Sequence, residues 1–453
     1  MSIRISSTGK RCGGVCRGKR VKTFSLPIAK RWQFVSSIPY VFTIMISGAT
    51  AFIIFLVAYA GIAIGSIPGL VIDRTGIALL GAIAMVITGI LTTTEAIQSI
   101  DISTILLLYG LMILSAQFRL GGFYTRIALG IVKHVKHPQR FLFLLMLTSA
   151  FLSALLANDI VCLAFTPVIC VSIIDASMNP MPFLIGLACA SNIGSASTII
   201  GNPQNMLIGQ IGSLDFGRFT LWCFPPSVLS FAACYLIIII VYRGRWTKEP
   251  VGKLMGWQEW PPYDAHQSQK GIVLTILLVV LLFTSIPREV TAIAIAGILL
   301  CSRRIRTRSI LGLVDWHLIT LFCALFIIIA GIAKHHIPER MVSLLFSIGI
   351  DMDRSYALSL ITVVLSTLVS NVPAVILILK NINLTITENL YVLALVSTYA
   401  GNLITIGSIA NLITIEQAKE YNVHIGFKEH ARVGFPVTVI TIIIALIWNW
   451  FVR

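Results

Sequence analysis

Long apolar stretches dominate the pattern of hydrophobic and polar positions. Residues 40–56 and 231–241 contain no charged residue at all. A helix needs about 20 apolar residues to cross the hydrocarbon core, and the chain carries enough such stretches for about 11 transmembrane segments. The pattern therefore predicts an all-α polytopic membrane protein. Two further segments, 127–137 and 338–349, mix apolar and basic positions and are too short to span, which predicts helices at the membrane surface or ordinary loop helices.

The second half of the chain repeats features of the first in the same order. Arg74 and Asp101 recur as Arg288 and Asp315, and Asn158 recurs as Asn371, at an offset of about 214 residues. We therefore predict two repeats, at residues 57–242 and 271–453. Residues 1–34 would be a basic N-terminal tail, 35–56 a leading transmembrane helix and 243–270 a cytoplasmic linker.

Charge indicates that the two repeats are inverted. Residues 119–140 hold five basic residues and no acidic one, whereas the matching residues 334–354 hold three of each. The positive-inside rule places the first segment in the cytoplasm and the second outside, so the repeats run in opposite directions. This count requires residues 40–73 to cross the membrane twice.

Composition and net charge support the same class. The chain is 57% hydrophobic and 11% charged, against about 25% charged in soluble domains. The net charge of +16 comes from short segments beside apolar runs, which is typical of membrane orientation and not of nucleic-acid binding. The tail before residue 35 has basic but no acidic residues, so we expect a cytoplasmic N-terminus at the inner membrane. No small-residue cleavage site follows a short apolar core, which disfavours a signal peptide.

The nine cysteines do not form a recognisable framework. Most lie in or near apolar segments, which argues against disulfides. Cys12 and Cys16 lack a second ligand pair, so we interpret them as ordinary thiols and not as a zinc site.

Two segments of each repeat interrupt the apolar pattern in the middle. Residues 153–159 and 366–373 are polar stretches between apolar arms, which predicts two helical hairpins with polar tips at Asn158 and Asn371. Residues 191–205 and 397–411 are rich in Gly, Ser and Asn, which predicts two discontinuous helices. Irregular backbone survives at membrane depth only inside protein or beside water. Unwound carbonyls and Asn oxygens can then ligate sodium, although small residues also serve close helix packing.

Asp159 is the one acidic residue deep within a predicted membrane element. An ionised carboxylate at that depth costs at least about 2.5 kcal/mol, so it should have a partner or a function. A coupling cation, a proton or a nearby base are the candidates, and a neutral, hydrogen-bonded carboxyl group is the alternative.

At these residues the chain resembles the ion transporter superfamily of divalent anion:sodium symporters, citrate transporters, arsenical pump membrane proteins and sodium/proton antiporters. The resemblance covers roughly residues 57–450 and rests on the 191–205 block and on residues 106–116 followed by Gly121, Gly122 and Phe123. It implies a scaffold and a mobile transport domain, a homodimer and an elevator mechanism.

Residue roles follow from the resemblance as expectations. Asn158 with Gly194 and Ser195 would form one sodium site, and Asn371 with Gly407 the other. Six residues are the expected substrate contacts: Asn158, Asp159, Asn205, Ser370, Asn371 and Asn411. Sodium would be a coupling ion, and we expect no other cofactor.

The hairpin tips depart from the superfamily pattern. They read Ala157-Asn158-Asp159 and Ser370-Asn371-Val372, so both tip threonines are missing. The arsenical-pump or general anion branch therefore fits at least as well as a dicarboxylate carrier.

Three functional hypotheses follow. The leading one is a secondary transporter for a small oxyanion, carboxylate or similar anion, coupled to sodium or protons. A cation/proton antiporter or an arsenite efflux permease is the alternative. An enzyme is not expected, because the sequence has neither a His-Glu-x-x-His motif nor a phosphate-binding Gly-x4-Gly-Lys-Ser/Thr loop.

Overall fold

The structure, a computed structural model, describes residues 29–65, 71–247, 262–302, 304–347, 349–405 and 407–452, with side chains from residue 47 onward except residue 345. The chain divides into two units, Met1–Ser47 and Gly48–Arg453. The architecture below is that of the second unit. The predicted tail with Cys12 and Cys16 lies outside the described residues, apart from the first turns of helix α1.

Helices account for almost all of the described chain. The first ten are α1 (Ala29–Ile64), α2 (Arg74–Ile87), α3 (Thr93–Gln98), α4 (Ile102–Leu120), α5 (Phe123–Val132), α6 (Pro138–Leu155), α7 (Asn158–Asp175), α8 (Met181–Ser195), α9 (Pro203–Ile211) and α10 (Phe216–Val241). The second ten are α11 (Ala265–Leu282), α12 (Arg288–Leu300), α13 (Thr307–Leu311), α14 (Trp316–Ala333), α15 (Ile337–Ser347), α16 (Ser355–Val369), α17 (Asn371–Leu379), α18 (Thr387–Ala400), α19 (Ile409–Glu420) and α20 (Phe427–Val452).

Each helix from α1 to α10 has a counterpart from α11 to α20 in the same order. The predicted match of Asp101 with Asp315 has a structural cause, because both carboxylates cap the N-terminus of the long helix that follows. Asp101 accepts from the Thr104 amide at 2.7 Å and Asp315 from the Leu318 amide at 2.9 Å. The all-α membrane fold and its internal repeat are confirmed.

The two repeats pack reciprocally. Helix α4 lies on α12 and α2 lies on α14, while α7 packs against α19 and α9 against α17; α10 and α20 pack on each other. Such crossed pairing gives the unit an approximate two-fold relation between its halves.

Two faces of the unit can be defined from the ends of α4. Its first turn donates from Ser103 Oγ to Glu289 Oε1 of α12 at 3.3 Å, and we call this end the Glu289 face. The 19 residues of α4 extend about 28 Å, so Arg119 emerges at the other end. There Arg119 lines a common cavity with Asp315, and we call this end the Asp315 face.

The hairpins enter from opposite faces, which establishes the inversion. The α11 N-terminus lies beside the end of α4, with Asp264 N donating to Gly121 O at 3.0 Å, and so belongs to the Asp315 face. The base of the α6–α7 hairpin opens toward the same face, where Asn179 Nδ2 donates to Arg245 O at 2.9 Å after the end of α10. The α16–α17 hairpin follows α15 and the end of α14, where Lys334 Nζ lies 2.7 Å from Glu95 Oε1 of α3, just before the start of α4. Its base therefore lies at the Glu289 face.

The structure differs from the predicted boundaries near residues 57 and 270. It describes one uninterrupted helix, α1, where the sequence predicts a leading helix at 35–56 and a new element from residue 57. Residues 40–64 contain neither a proline nor a charged residue, and α1 ends before Gly65, whose φ of +85° suits a helix end. A double crossing by residues 40–73 is therefore not seen in the described residues. Helix α11 starts at Ala265, inside the predicted linker.

Eight described helices are long and apolar enough to cross a bilayer: Ser47–Ile64, Ile102–Leu120, Pro138–Leu155, Asn158–Asp175, Phe216–Val241, Ala265–Leu282, Trp316–Ala333 and Phe427–Val452. Several carry large apolar side chains that point outward, such as Leu221, Ile240 and Val273. Such an apolar exterior is suited to lipid, so the chain is a multi-pass membrane protein. The two segments predicted as surface or loop helices are helical in α5 and α15, although α5 ends at Val132.

Candidate substrate and ion site

The tip of the first hairpin rests on the break between α8 and α9. Helix α6 ends at Leu155 and α7 begins at Asn158. The Asn158 side chain donates from Nδ2 to Asn192 Oδ1 at 3.1 Å, and its backbone N–H donates to Gly201 O at 3.4 Å. Ser191 Oγ donates to the backbone carbonyl of Asn158 at 3.1 Å. The hairpin tip and the unwound segment therefore satisfy each other's polar groups inside the protein.

The second hairpin repeats this arrangement with one difference. Its tip turns at Ser370, which has φ +76° and ψ 160°, a region that residues other than glycine rarely adopt. Asn371 follows, and one orientation of its amide donates to Ser397 O at 2.9 Å and to Gly407 O at 3.2 Å. Ser397 and Gly407 hold in the second repeat the places that Ser191 and Gly201 hold in the first.

Asn205 and Asn411 tie down the unwound segments. Asn205 Nδ2 donates to Thr198 O at 3.0 Å and to Ser195 O at 3.3 Å. Asn411 Nδ2 donates to Gly401 O at 2.8 Å and to Ile404 O at 3.2 Å. A helix break leaves carbonyl groups without intrahelical partners, and these two amides supply partners for them.

The two breaks also touch each other near the centre of the unit. Asn192 Nδ2 donates to Asn402 Oδ1 at 2.8 Å, and Ser408 Oγ donates to Asn192 Oδ1 at 3.0 Å. In the reciprocal position Asn202 Nδ2 donates to Thr398 Oγ1 at 3.2 Å. Asn202 and Ser408 are the N-caps of α9 and α19. Each second half-helix is therefore held at its N-terminus by a polar side chain of the other repeat.

Two glycines of the first break are required by close packing. A Cβ at Gly194 would overlap the backbone of Ala150 in α6, and a Cβ at Gly201 would overlap the carbonyl group of Ser195. Glycine permits backbone to approach backbone where any side chain would separate the two segments. Gly194 thus lets α8 pack against the hairpin.

Buried oxygens converge where the tips meet the breaks. Asn158 Oδ1 and Asn205 Oδ1 are buried without a hydrogen-bond partner, which costs about 1–3 kcal/mol for such a group. Neutral amide and carbonyl oxygens of this kind are the ligands that hard cations such as sodium accept in broken transporter helices.

Asp159 lies apart from this polar centre. It lines a cavity of about 80 Å³ at the Asp315 face, together with Asp315 and Arg119. Asp159 is half-buried, while Arg119 and Asp315 are exposed, and no ion pair joins the three among the described residues. Among the residues lining this cavity, Arg119 is the one base that could partner Asp159.

The structure brings some predicted site residues together and separates others. Asn371 meets Gly407 as expected, whereas no hydrogen bond joins Asn158 to Gly194 or Ser195 in the described part of the chain. Ser195 instead accepts from Asn202 Nδ2 at 3.0 Å. The roles of all the predicted site residues, as sodium ligands or as substrate contacts, remain predictions.

Sequence reasoning missed Asn192, Gly201, Asn402 and Ser408. Gly201 could have been found, because it aligns with Gly407 when the two breaks are superimposed. The pairing of Asn192 with Asn402 leaves no local signal, since 210 residues separate them.

The sequence profile of the citrate transporter family matches residues 51–400. The chain belongs to the citrate transporter family. The match covers both hairpins and the first broken helix, and it ends where α18 ends.

Relatives of this citrate transporter family member are named as membrane proteins and transporters. A 46 kDa membrane protein of Mycobacterium leprae is 28% identical, covering 88% of this chain and 97% of the relative. The silicon efflux transporter LSI3 of Oryza sativa subsp. japonica is 25% identical over 84% of this chain and 93% of its own. A Dictyostelium discoideum protein that carries the name transporter arsB is 22% identical over 83% and 87%.

The fold is similar to a solved structure as well. The YdaH transporter of Alcanivorax borkumensis matches with a TM-score of 0.52 and 11% identity, covering 90% of this chain and 98% of that one. At 11% identity the likeness is one of fold alone, and it confirms the predicted all-α fold. The relatives' names agree with a transport role for this chain.

Proposed function

We propose that the protein is a secondary active transporter that moves a small anion, such as an oxyanion or a carboxylate, across the inner membrane. Sodium or protons would be the coupling ions. The observation that carries the proposal is the meeting of two hairpin tips with two helix breaks, around buried amide and carbonyl oxygens. A discontinuous helix offers both kinds of ligand, because its half-helix N-terminus attracts anions and its unwound carbonyls attract cations.

The candidate sodium ligands differ slightly between the repeats. In the first, Asn158 Oδ1 is buried without a partner and the carbonyl of Gly201 lies at the same tip. In the second, the carbonyls of Ser397 and Gly407 accept from the Asn371 amide, and a bound cation would require that amide to turn so that Oδ1 takes the place of Nδ2. Both sets are neutral, so a bound cation would add a positive charge next to which an anionic substrate is stabilised.

An elevator movement is the proposed mechanism, carried out by a homodimer. Helices α2, α4, α12 and α14 pair tightly and contain no break, which suits a scaffold. The hairpins and broken helices would form the moving part, because the hydrogen bonds of their polar centre run among their own residues.

Flux through reconstituted proteoliposomes tests this function. The panel should contain citrate, phosphate, sulfate, arsenite and silicate, each with and without an imposed sodium or proton gradient. We expect gradient-dependent uptake of at least one of them. Absence of flux for every solute under both gradients would contradict the proposal. Arsenite and silicate are included because relatives carry the names arsB and silicon efflux transporter.

Two variants locate the site. Asn158→Ala and Asn371→Ala should each weaken sodium-dependent flux and remove thermal stabilisation by sodium, which scales as RT ln(1 + [L]/Kd). Asn179→Ala is the matched control, because Asn179 lies at the base of the same hairpin and bonds only to nearby backbone. Normal flux in both tip variants would reject these residues as ligands.

A cation/proton antiporter or an arsenite efflux permease is the second candidate, favoured by Asp159. Its carboxyl group lines a cavity with Asp315 and Arg119 and lies directly after the tip residue Asn158. A carboxyl group in such a position can bind a proton or a cation in turn. The Asp159→Asn variant should then lose pH-dependent exchange. Asp175→Asn is the control, since Asp175 is exposed at the other end of the same helix. Exchange retained in Asp159→Asn would rule out this role.

A further inference from the structure

The broken helix α9 is fastened to the scaffold helix α12 at the Glu289 face. Arg288 Nη2 donates to Leu214 O just beyond α9 at 2.6 Å. Gln210 Nε2 of α9 donates to Glu289 Oε2 at 2.9 Å, and Ser103 Oγ of α4 donates to the other carboxylate oxygen at 3.3 Å. Arg288 and Glu289 thus join α9, which belongs to the proposed moving part, to the scaffold helices α12 and α4.

At the corresponding place in the first repeat, the described residues show no counterpart of these Arg288 and Glu289 bonds. Arg74 starts α2 as Arg288 starts α12, and Glu416 occupies in α19 the position that Gln210 occupies in α9. Arg74 lies close enough to Glu416 for their charges to attract each other. No hydrogen bond or ion pair joins Arg74 to α19 among the described residues. Thr75, the counterpart of Glu289, reaches only the scaffold carbonyl of His317, at 3.5 Å.

The cavity that reaches a hairpin tip lies at the Asp315 face, whereas the larger cavity at the Glu289 face is lined by α15 and residues 350–353 and 380–383 and reaches no tip residue. Thr75 and His317 lie at the start of α2 and α14, which is the Asp315 face. There the cavity reaches from exposed Arg119 and Asp315 to half-buried Asp159 beside the hairpin tip. The two faces therefore differ, although the repeats have an approximate two-fold relation. Hydrogen bonds join α9 to α12 at the Glu289 face, whereas a cavity reaches the first hairpin tip at the Asp315 face.

We propose that Arg288 and Glu289 form a latch that closes the Glu289 face by holding α9 against α12 while the Asp315 face is open. An inverted repeat has two related conformations, and contacts formed in one of them alone set the balance between the two. The latch bonds involve a guanidinium and a carboxylate, which form stronger hydrogen bonds than neutral groups do. The inference rests on the alternating access contained in the proposed function, and it needs no knowledge of the substrate.

Hydrogen exchange of the full chain in lipid nanodiscs, read by mass spectrometry, tests the latch. In Glu289→Ala we expect exchange at residues 209–215 to rise about tenfold, the loss typical of one or two charge-assisted bonds. Exchange at residues 157–163 should slow at the same time, because the population shifts to the state in which the Asp315 face is closed. Gln210→Ala removes a single latch bond and should give the same pattern with smaller changes.

Arg74→Ala is the matched control, because Arg74 is the counterpart of Arg288 without a latch bond, and it should leave exchange at residues 209–215 unchanged. Unchanged exchange there in Glu289→Ala overturns the latch. Faster exchange at both faces indicates general loosening and also overturns it, as does a rise at 209–215 without a change at 157–163. Since the measurement involves no flux, a failed transport assay and a failed latch remain separate results.

Discussion

Asn192 and Asn402 join the two repeats directly, with 2.8 Å between Asn192 Nδ2 and Asn402 Oδ1. The oxygen of the same Asn192 amide accepts from Asn158 and from Ser408. One buried side chain therefore connects a hairpin tip of the first repeat to the helix break of the second. Any movement of one hairpin tip relative to the other break must rearrange this amide.

Replacing Asn192 should be severe. Asn192→Ala leaves Asn158 Nδ2 and Ser408 Oγ without this acceptor inside the protein, and each buried group left unpaired costs about 1–3 kcal/mol. We expect the free energy of unfolding in detergent to fall by about 2–5 kcal/mol. Ser172→Ala is the control, since the Ser172 hydroxyl bonds only to its own helix. A loss in Asn192→Ala as small as that of the control would contradict the connecting role.

Gly194 and Gly201 should not accept even a methyl group. In Gly194→Ala the new Cβ meets the backbone of Ala150, which cannot rotate away as a side chain could. We expect this variant, and Gly201→Ala, to lose the sharp gel-filtration peak of the folded protein. Gly297→Ala is the comparison, because nothing lies within 4 Å of its added Cβ and alanine is preferred in a helix by about 1 kcal/mol. Normal folding of Gly194→Ala would mean that α6 and α8 can separate.

Ser370→Gly should stabilise the protein. The positive φ of Ser370 is strained for any residue with a Cβ, and relief of such strain is worth about 1 kcal/mol. The corresponding tip residue of the first repeat, Ala157, has φ −57°, so Ala157→Gly should destabilise by about 0.5–1 kcal/mol. Thermal unfolding followed for both variants checks the prediction. A lower melting temperature in Ser370→Gly would show that its hydroxyl or its rigidity matters more than the strain.

An ion pair at the Glu289 face should make stability depend on pH in acid. Lys334 Nζ lies 2.7 Å from Glu95 Oε1, and this contact with the Thr92 bonds lowers the pKa of Glu95 to about 2. Because the folded pKa is below the unfolded one, the contribution is complete above about pH 4.5 and is lost as the pH falls toward 2. The stability difference between the wild type and Glu95→Gln should be constant from pH 7 to pH 5 and shrink below pH 4. A difference that grows in acid would contradict this sign.

Local signals identified most of the architecture. The hairpin tip at Asn158 lies between two apolar arms, and the break after Ser195 contains glycines and Pro203, so both could be located from the chain alone. The predicted boundary at residue 57 has no such signal. Residues 40–64 carry neither a charge nor a proline, and such a stretch can form one long helix as well as two short ones. The structure describes it as part of one helix, Ala29–Ile64.

The sequence indicated which polar residues form the candidate site, but it indicated less well which of them bond to each other. Asn371 and Gly407 were expected together and do meet, but Asn205 and Asn411 use their amide donors to hold the unwound segments. Sequence spacing shows which residues are polar at membrane depth. It does not show which of them face one another, because some bonds join neighbours, as Asn205 bonds to Thr198, and others join residues 210 positions apart, as Asn192 bonds to Asn402.

The sequence by itself determined the membrane class, the duplication, the two hairpins and the two broken helices. Each of these depends on the length of an apolar stretch or on Gly, Pro and Asn at fixed places, and such preferences act within a few turns of helix. Tertiary structure alone decided that Asn192 joins Asn402, that Asp159 faces a cavity with Asp315, and that Gln210 bonds to Glu289. The physical reason is that the packing of the two halves positions these distant side chains.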